Sequence, residues 1–376
     1  MRKNLFVRSI AAVSGIVMLA SLAACGDNTS SAGNNSGSTS TEKITGSFSG
    51  AGATSQQAAE EAWISAYMAA NSGANVTYNP TGSGAGVTTF LSGATAWAGS
   101  DKALSDDEVT QSSDKACANG TTAFDVPVYI SPIAIIFNLK GVSDAGKHIN
   151  LDADTAAKIF DGKIVKWNDP AIANQNKDLT LPDTQITVVH RSDKSGTTQN
   201  FVSYFKDQAP DSWTHELSEN WPDIPGQQSA KGTSGVVTAV KQADGTIGYA
   251  DFSQVGDLGT AAIKVGENYN EISADAGSKV IEDSEIDTSV KGDNRVVVKI
   301  NHATEAKGAY PIVLVSYDIA CPAYKDANTA KFVKSWLTYV TSDEGQKTAS
   351  SAAGSAPLPS NIVEKVTKSI EAIKTK

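Results

Sequence analysis

The chain has 376 residues and a formal net charge of −10, long enough for two domains with cores of their own. The acidic balance, with no basic stripe to displace phosphate counterions, excludes a nucleic-acid binder. It leaves an anionic ligand open, because local amides and one well-placed arginine outweigh a distant, screened surface charge.

At the N-terminus Arg2, Lys3 and Arg8 accompany an apolar stretch from Ile10 to Leu22, which ends in Leu22-Ala23-Ala24-Cys25. A charged start, a short apolar core and small residues before a cut site predict a secretion signal over residues 1–24, too short for a stable membrane span. The Leu-Ala-Ala-Cys ending resembles the bacterial lipobox, which implies that Cys25 becomes the lipidated first residue. Residues 26–45 carry almost no large apolar side chain, cannot offset the cost of chain ordering, and predict with Cys25 a flexible tether over 25–45. The expected location is the extracytoplasmic face of the cell membrane, with the membrane itself a partner through the lipid.

Beyond residue 46, helix and strand signals alternate, the pattern of an α/β architecture. Residues 47–55 read as a strand and turn that run into a helix over 56–71. Ala59, Trp63, Tyr67 and Ala70 share one face of it, and Ser72-Gly73 is its stop. A second strand at 76–79 meets Pro80-Thr81-Gly82-Ser83-Gly84-Ala85-Gly86 and then Val87, Phe90 and Leu91 at helical spacing. A third strand, 186–190, leads through Arg191-Ser192-Asp193-Lys194-Ser195-Gly196-Thr197 to a helix with Phe201, Tyr204 and Phe205 along one stripe. Ile247-Gly248-Tyr249, after an Asp244-Gly245 turn, reads as a buried strand, and 296–300 and 312–316 as two more. Residues 328–340 predict an amphipathic helix through Phe332, Val333, Trp336 and Val340. Residues 361–376 repeat Ile362, Val366, Ile370 and Ile373 at the same spacing.

Apart from Cys25, the cysteines are Cys117 and Cys321. In an exported chain such a pair points to a disulfide rather than a metal site, with free thiols as the alternative. His148, His190, His215 and His302 lack zinc-type spacing, so no metal and no cofactor is expected.

Each of the three junctions puts Ser, Thr and Gly at a helix start, where unpaired amides and the positive end of the helix dipole point outward. Hydroxyls add donors and glycines allow close approach, which together make an anion site; for any single junction, plain helix capping is the alternative. Gly99-Ser100-Asp101 adds a carboxylate. It would repel an anion unless the ligand carries a proton that Asp101 accepts, as phosphate does at neutral pH and sulfate does not. Arg191 offers a planar fork of donors for two oxyanion oxygens. Asp193 either orients that guanidinium or caps the next helix.

The segments Gly50-Ala51-Gly52-Ala53-Thr54, Gly82-Ser83-Gly84, Ala98-Gly99-Ser100-Asp101 and Arg191 to Thr197 resemble the substrate-binding protein of the phosphate-specific ABC transporter. Gly162-Lys163-Ile164-Val165-Lys166-Trp167 and Gly245-Thr246-Ile247-Gly248-Tyr249 are similar to further signatures of that family, structural ones. The motifs stand in family order and cover nearly the whole chain after the signal. The resemblance implies a two-lobed periplasmic-binding-protein-like fold of type II whose lobes close on dehydrated inorganic phosphate. It further implies delivery to the permease subunits of a membrane ABC transporter. Thr54, Ser55, Ser83, Ser195, Gly196 and Thr197 would then donate hydrogen bonds, Arg191 would bind through its guanidinium, and Asp101 would accept the phosphate proton. Ser55 departs from the pattern, since many relatives have Phe there; its amide still donates. Also implied are two crossings between lobes, near residues 128–132 and 310–313, giving lobe I as 46–130 plus 312–376 and lobe II as 131–311. Two other readings stand beside this one. A serine hydrolase or phosphatase would use Ser195 with His190 or His215, but the chain lacks a Gly-x-Ser-x-Gly elbow and a metal cluster, so no enzyme is expected. A binder of sulfate, molybdate or another oxyanion would keep the fold and leave Asp101 nothing to accept.

Overall fold

The computed structural model describes residues 43–143 and 146–375; residues 1–42, with the expected secretion signal and Cys25, lie outside them. β1 (Gly46–Gly52), β2 (Ala74–Asn79) and β3 (Trp97–Ser100) are short parallel strands with β1 in the middle. β4 (Phe124–Asn138) is buried along nearly its whole length, as its largely apolar run from Val126 to Phe137, interrupted at Ser131, requires of a strand covered on both faces. β5 (Ile149–Leu151), β6 (Thr187–Arg191), β7 (Gln228–Ala230), β8 (Thr246–Asp251), β9 (Gly259–Val265) and β10 (Asn268–Asn270) follow. β11 (Glu285–Ile286) and β12 (Val298–Lys299) form a ladder of their own, and β13 (Val313–Ala320) is again fully buried.

The main sheet runs β2-β1-β3-β13-β4-β8-β6-β7, with β9 joining β4 to β5 and β10. β4 belongs to both halves of it. Its first part, Phe124 to Pro132, pairs antiparallel with β13, and its second, Ile133 to Asn138, pairs antiparallel with β8. Where the partners change, the Ile133 amide donates to the Ile312 carbonyl at 2.8 Å.

Four helices begin within a few residues of the carboxyl ends of parallel strands: Gln57–Ala70 after β1, Ser83–Leu91 after β2, Gly196–Gln208 after β6 and Gly232–Gln242 after β7. Open α/β sheets place ligands at that edge. Aromatic packing anchors the helices from behind. Tyr67 meets Phe332 and Trp336 edge-on, while Phe201 stacks on Tyr249 at 4.5 Å.

The expected helices and strands form, with local differences. Ala59, Trp63 and Tyr67 are buried as their spacing predicts, but Ala70 is exposed, one turn past the last contact with Phe332 and Trp336. Only Val298 and Lys299 of the 296–300 segment pair as a strand. The Val296 amide is drawn away to the Asp125 carbonyl, beside a buried Arg295–Asp125 ion pair of 2.8 Å. The C-terminal helix runs Ser360–Glu371, and Ile373 is buried just beyond its end.

Cys117 and Cys321 are joined, with Cα atoms 5.3 Å apart, so the disulfide rather than the thiol alternative holds. The bond is packed among Val87, Phe90, Leu104, Val109 and Ile319 and ties the end of helix Asp106–Lys115 to the end of β13. No helix among the described residues is long and apolar enough to cross a membrane. Because the bond spans 204 residues of sequence, its loss frees a long loop in the unfolded chain. Replacing both cysteines with serine is expected to lower the unfolding free energy by about 3–5 kcal/mol. Urea unfolding checks this, and an unchanged midpoint would count against a stabilising bond.

Candidate functional site

Helices Gln57–Ala70, Ser83–Leu91 and Gly232–Gln242 have no side-chain cap of their own. Only Gly196–Gln208 does, Ser195 Oγ accepting from the Thr198 amide at 3.2 Å. Ordinary capping therefore accounts for one of the four starts. At the starts of Ser83–Leu91 and Gly232–Gln242, amides bond partners from elsewhere in the chain, Gly84 to the Lys194 carbonyl and Thr233 to Thr54 Oγ1.

Three of the four starts, those after β1, β2 and β6, meet at Asp101, which is 2% exposed. Ser55, beside the first helix, donates its hydroxyl to both carboxylate oxygens at 2.7 and 2.8 Å. Thr197, in the first turn of the third, donates to Oδ2 at 2.6 Å. Ser83, the first residue of the second, accepts from the Asp101 amide at 3.2 Å. Asn200, one turn into the third helix, donates to the Asp101 carbonyl at 2.5 Å. Gly196 permits this approach, for a β-carbon there would lie 2.8 Å from the Asp101 carbonyl carbon.

Arg191 is 3% exposed and clamped by Asp193, Nε to Oδ1 at 2.8 Å and Nη2 to Oδ2 at 2.6 Å. Burial alone would raise the Asp193 carboxyl. The Arg191 guanidinium and the Gly232 amide, 3.0 Å away, outweigh it and hold the carboxyl below the usual range. Asp193 thus orients the guanidinium, one of the two roles its position allowed. The pair takes the Nε–Nη2 edge of the fork, so the Nη1–Nη2 edge is the one free to grip a second group. Gly82, at φ +96°, lies against this pair; a β-carbon there would sit 2.6 Å from Asp193 Oδ2. Tyr249 supports Arg191 from below, its hydroxyl accepting from the Arg191 amide at 3.3 Å and pairing with Thr198 at 2.6 Å. Burial pushes that phenol up to about 12, so it stays protonated.

Thr54 closes the circuit. Its Oγ1 lies 2.9 Å from Thr233 Oγ1 and accepts from the Thr233 amide at 3.1 Å. The neighbouring Gly232 is the residue bonded to Asp193. Thr54, Ser55, Ser83, Asp101, Arg191, Asp193, Ser195, Gly196 and Thr197 are in this way brought into one connected cluster. Cys25 lies outside the described residues, and Cys117 and Cys321 form the disulfide apart from the cluster.

Four members were not singled out from sequence: Asn200, Thr233, Ser316, which donates to Asp101 Oδ1, and Gln56, which donates to Ser316. Lys231-Gly232-Thr233-Ser234 has the same Gly and hydroxyl composition as Lys194-Ser195-Gly196-Thr197 and was a legible signal for Thr233. Gln56 and Ser316 carry no local signal, since one lies in a helix start and the other within a buried strand. The histidines stand elsewhere: His190 stacks on Trp221 at 5.4 Å and bonds the Arg191 carbonyl, and His215 bonds Asp161 at 2.6 Å.

Comparison with known proteins bears on this cluster. The model of the PBP superfamily domain matches residues 37–344. Phosphate-binding protein PstS2 of Mycobacterium bovis (strain BCG / Pasteur 1173P2) is 36% identical over 98% of this chain and 99% of its own length. Phosphate-binding protein PstS3 of the same strain is 33% identical over 94% of this chain and 95% of its own. Among solved structures, a high affinity periplasmic phosphate-binding protein, PfluDING, bound with phosphate, is 22% identical. It superposes with a TM-score of 0.70 over 86% of this chain and 93% of its own, which shows the same two-lobed α/β fold.

Removing Asp193 would strand a buried guanidinium. Asp193→Ala is expected to lower stability by about 3 kcal/mol. Asp193→Asn, which keeps an acceptor for the Gly232 amide, is expected to cost less. Denaturant unfolding of both variants distinguishes this from a surface role, for which both changes would be near neutral.

Proposed function

Because the chain belongs to the PBP superfamily, and within it to the family of phosphate-binding PstS proteins, we propose that it captures inorganic phosphate outside the cell and delivers it to an ABC transporter. The observation that carries this reading is the meeting of Ser55, Ser83, Asp101 and Thr197 from four separate segments within hydrogen-bond distance, with Arg191 beside them. Phosphate would take donated hydrogen bonds from Thr54, Ser55, Ser83, Ser195, Gly196 and Thr197 and the free edge of Arg191. Asp101 would accept its proton. A fully deprotonated oxyanion would set two acceptors against each other there. Such a mismatch costs about 1–3 kcal/mol, which corresponds to roughly a 5- to 150-fold preference for phosphate over sulfate.

The lobes in this proposal are 46–130 with 312–376, and 131–311. The exchange of β4 from β13 to β8 and the Pro132–Val313 pairing support that division. Closure brings Thr54 of the first lobe to Thr233 of the second. The chain acts as a binder rather than a hydrolase: both candidate histidines are bonded elsewhere, His190 to the Arg191 carbonyl and His215 to Asp161. Residues 1–24 direct export and Cys25 carries the lipid, so the binder works tethered to the extracytoplasmic face of the membrane, beside the permease it feeds.

Titration calorimetry of the signal-free protein tests the ligand. Phosphate is expected to bind and sulfate to bind far more weakly; the reverse order would overturn the assignment. Arg191→Ala is expected to abolish binding. Asp101→Ala is expected to weaken phosphate or erode selectivity, and Asp101→Asn to be milder because the amide retains an acceptor oxygen. Normal phosphate binding by Arg191→Ala would show the site map to be wrong.

A further inference from the structure

Ser316, at the middle of β13, is fully buried and donates its hydroxyl to Asp101 Oδ1 at 2.5 Å. No ligand group needs to be invoked for that contact. Its direction is fixed by Gln56, which is also fully buried and whose Nε2 donates to Ser316 Oγ at 2.8 Å. An amide nitrogen only donates, so Ser316 accepts from Gln56 and its single proton is free for Asp101. Gln56 is held in turn: its Oε1 accepts from the Tyr78 hydroxyl at 3.4 Å, and Nε2 also reaches the Tyr317 carbonyl at 3.3 Å. Gly99 makes room for it, since a β-carbon there would lie 2.2 Å from Gln56 Oε1.

Resting on the phosphate reading, we infer that Ser316 and Gln56 are positioning residues that hold the Asp101 carboxylate aimed as a proton acceptor, and so set the preference for a protonated oxyanion. A carboxylate has about four lone-pair sites on two oxygens. Ser316 and Thr197 each take one, on different oxygens, and Ser55 bridges the two. Three donated protons on about four sites leave acceptor capacity for one more, the place the proton of the ligand would take. The relay Gln56 to Ser316 to Asp101 therefore fixes the carboxylate by neutral donors, without a cation that would compete with the ligand's proton for it.

The test is calorimetry of phosphate and sulfate at neutral pH with wild type, Ser316→Ala, Ser316→Cys and Gln56→Leu, with thermal melts to confirm folding. Ser316→Ala is expected to weaken phosphate about tenfold and sulfate less, so that the preference between the two narrows. Ser316→Cys, nearly equal in size but a poor donor, should behave alike, and Gln56→Leu should narrow the preference in the same direction by less. A purely structural Ser316 would lower affinity for both anions equally and leave their ratio unchanged, which would overturn the inference alone. Wild type that fails to bind phosphate would overturn the phosphate reading together with it.

Discussion

A carboxylate buried without a cation is the constraint on which the rest of the cleft depends. Among the described residues, Asp101 forms no ion pair; Arg191 is committed to Asp193, and Lys102 to Glu108 and Glu219. An unpaired buried charge is costly, and here neutral hydroxyls offset the cost. They come from the end of β1, from the helix after β6 and from β13, so the charge is tolerable only when segments distant in sequence are all in place. The paired charges of Arg191 and Asp193 cancel, and Asp101 leaves a net negative balance at the cluster. Attraction for an anion must then come from aligned amides, hydroxyls and one guanidinium edge rather than from excess positive charge.

Local chemistry explains why so much of this was legible in the sequence. Helix starts with Gly, Ser and Thr after a strand, such as Gly82-Ser83-Gly84 and Ser195-Gly196-Thr197, announce themselves because few other settings require that composition. Asp101 was legible as an exception to it, a negative group where donors were collecting. The helices also followed from apolar spacing: Trp63 and Tyr67 are buried in one, Phe332 and Trp336 in another.

What the sequence withheld was long-range. Ser316 is a single polar residue after Val313-Leu314-Val315, and only the insertion of β13 beside β4 and β3 brings it to Asp101. Gln56 looked like an ordinary first-turn residue. Thr233 lies 179 residues from Thr54, and its role exists only through that contact. The shortened 296–300 strand has the same origin, a buried Arg295–Asp125 pair that drew its backbone elsewhere. Residue periodicity reports which face of an element is buried, not which element lies opposite.

The place of β13 has a consequence for how the molecule comes to be. The strand sits between β3 and β4, although nearly half of the chain separates it from β4 and more than half from β3. A chain emerging from its N-terminus can make the β2-β1-β3 layer early, yet that layer keeps an open edge until residues past 312 arrive. Contacts of such high sequence separation close slowly, because loop entropy must be met before they yield any return. The ligand pocket and the disulfide therefore mature together at the last stage of assembly, and a partly emerged chain has neither. Until then the bare edge of β3 is the segment most open to mispairing.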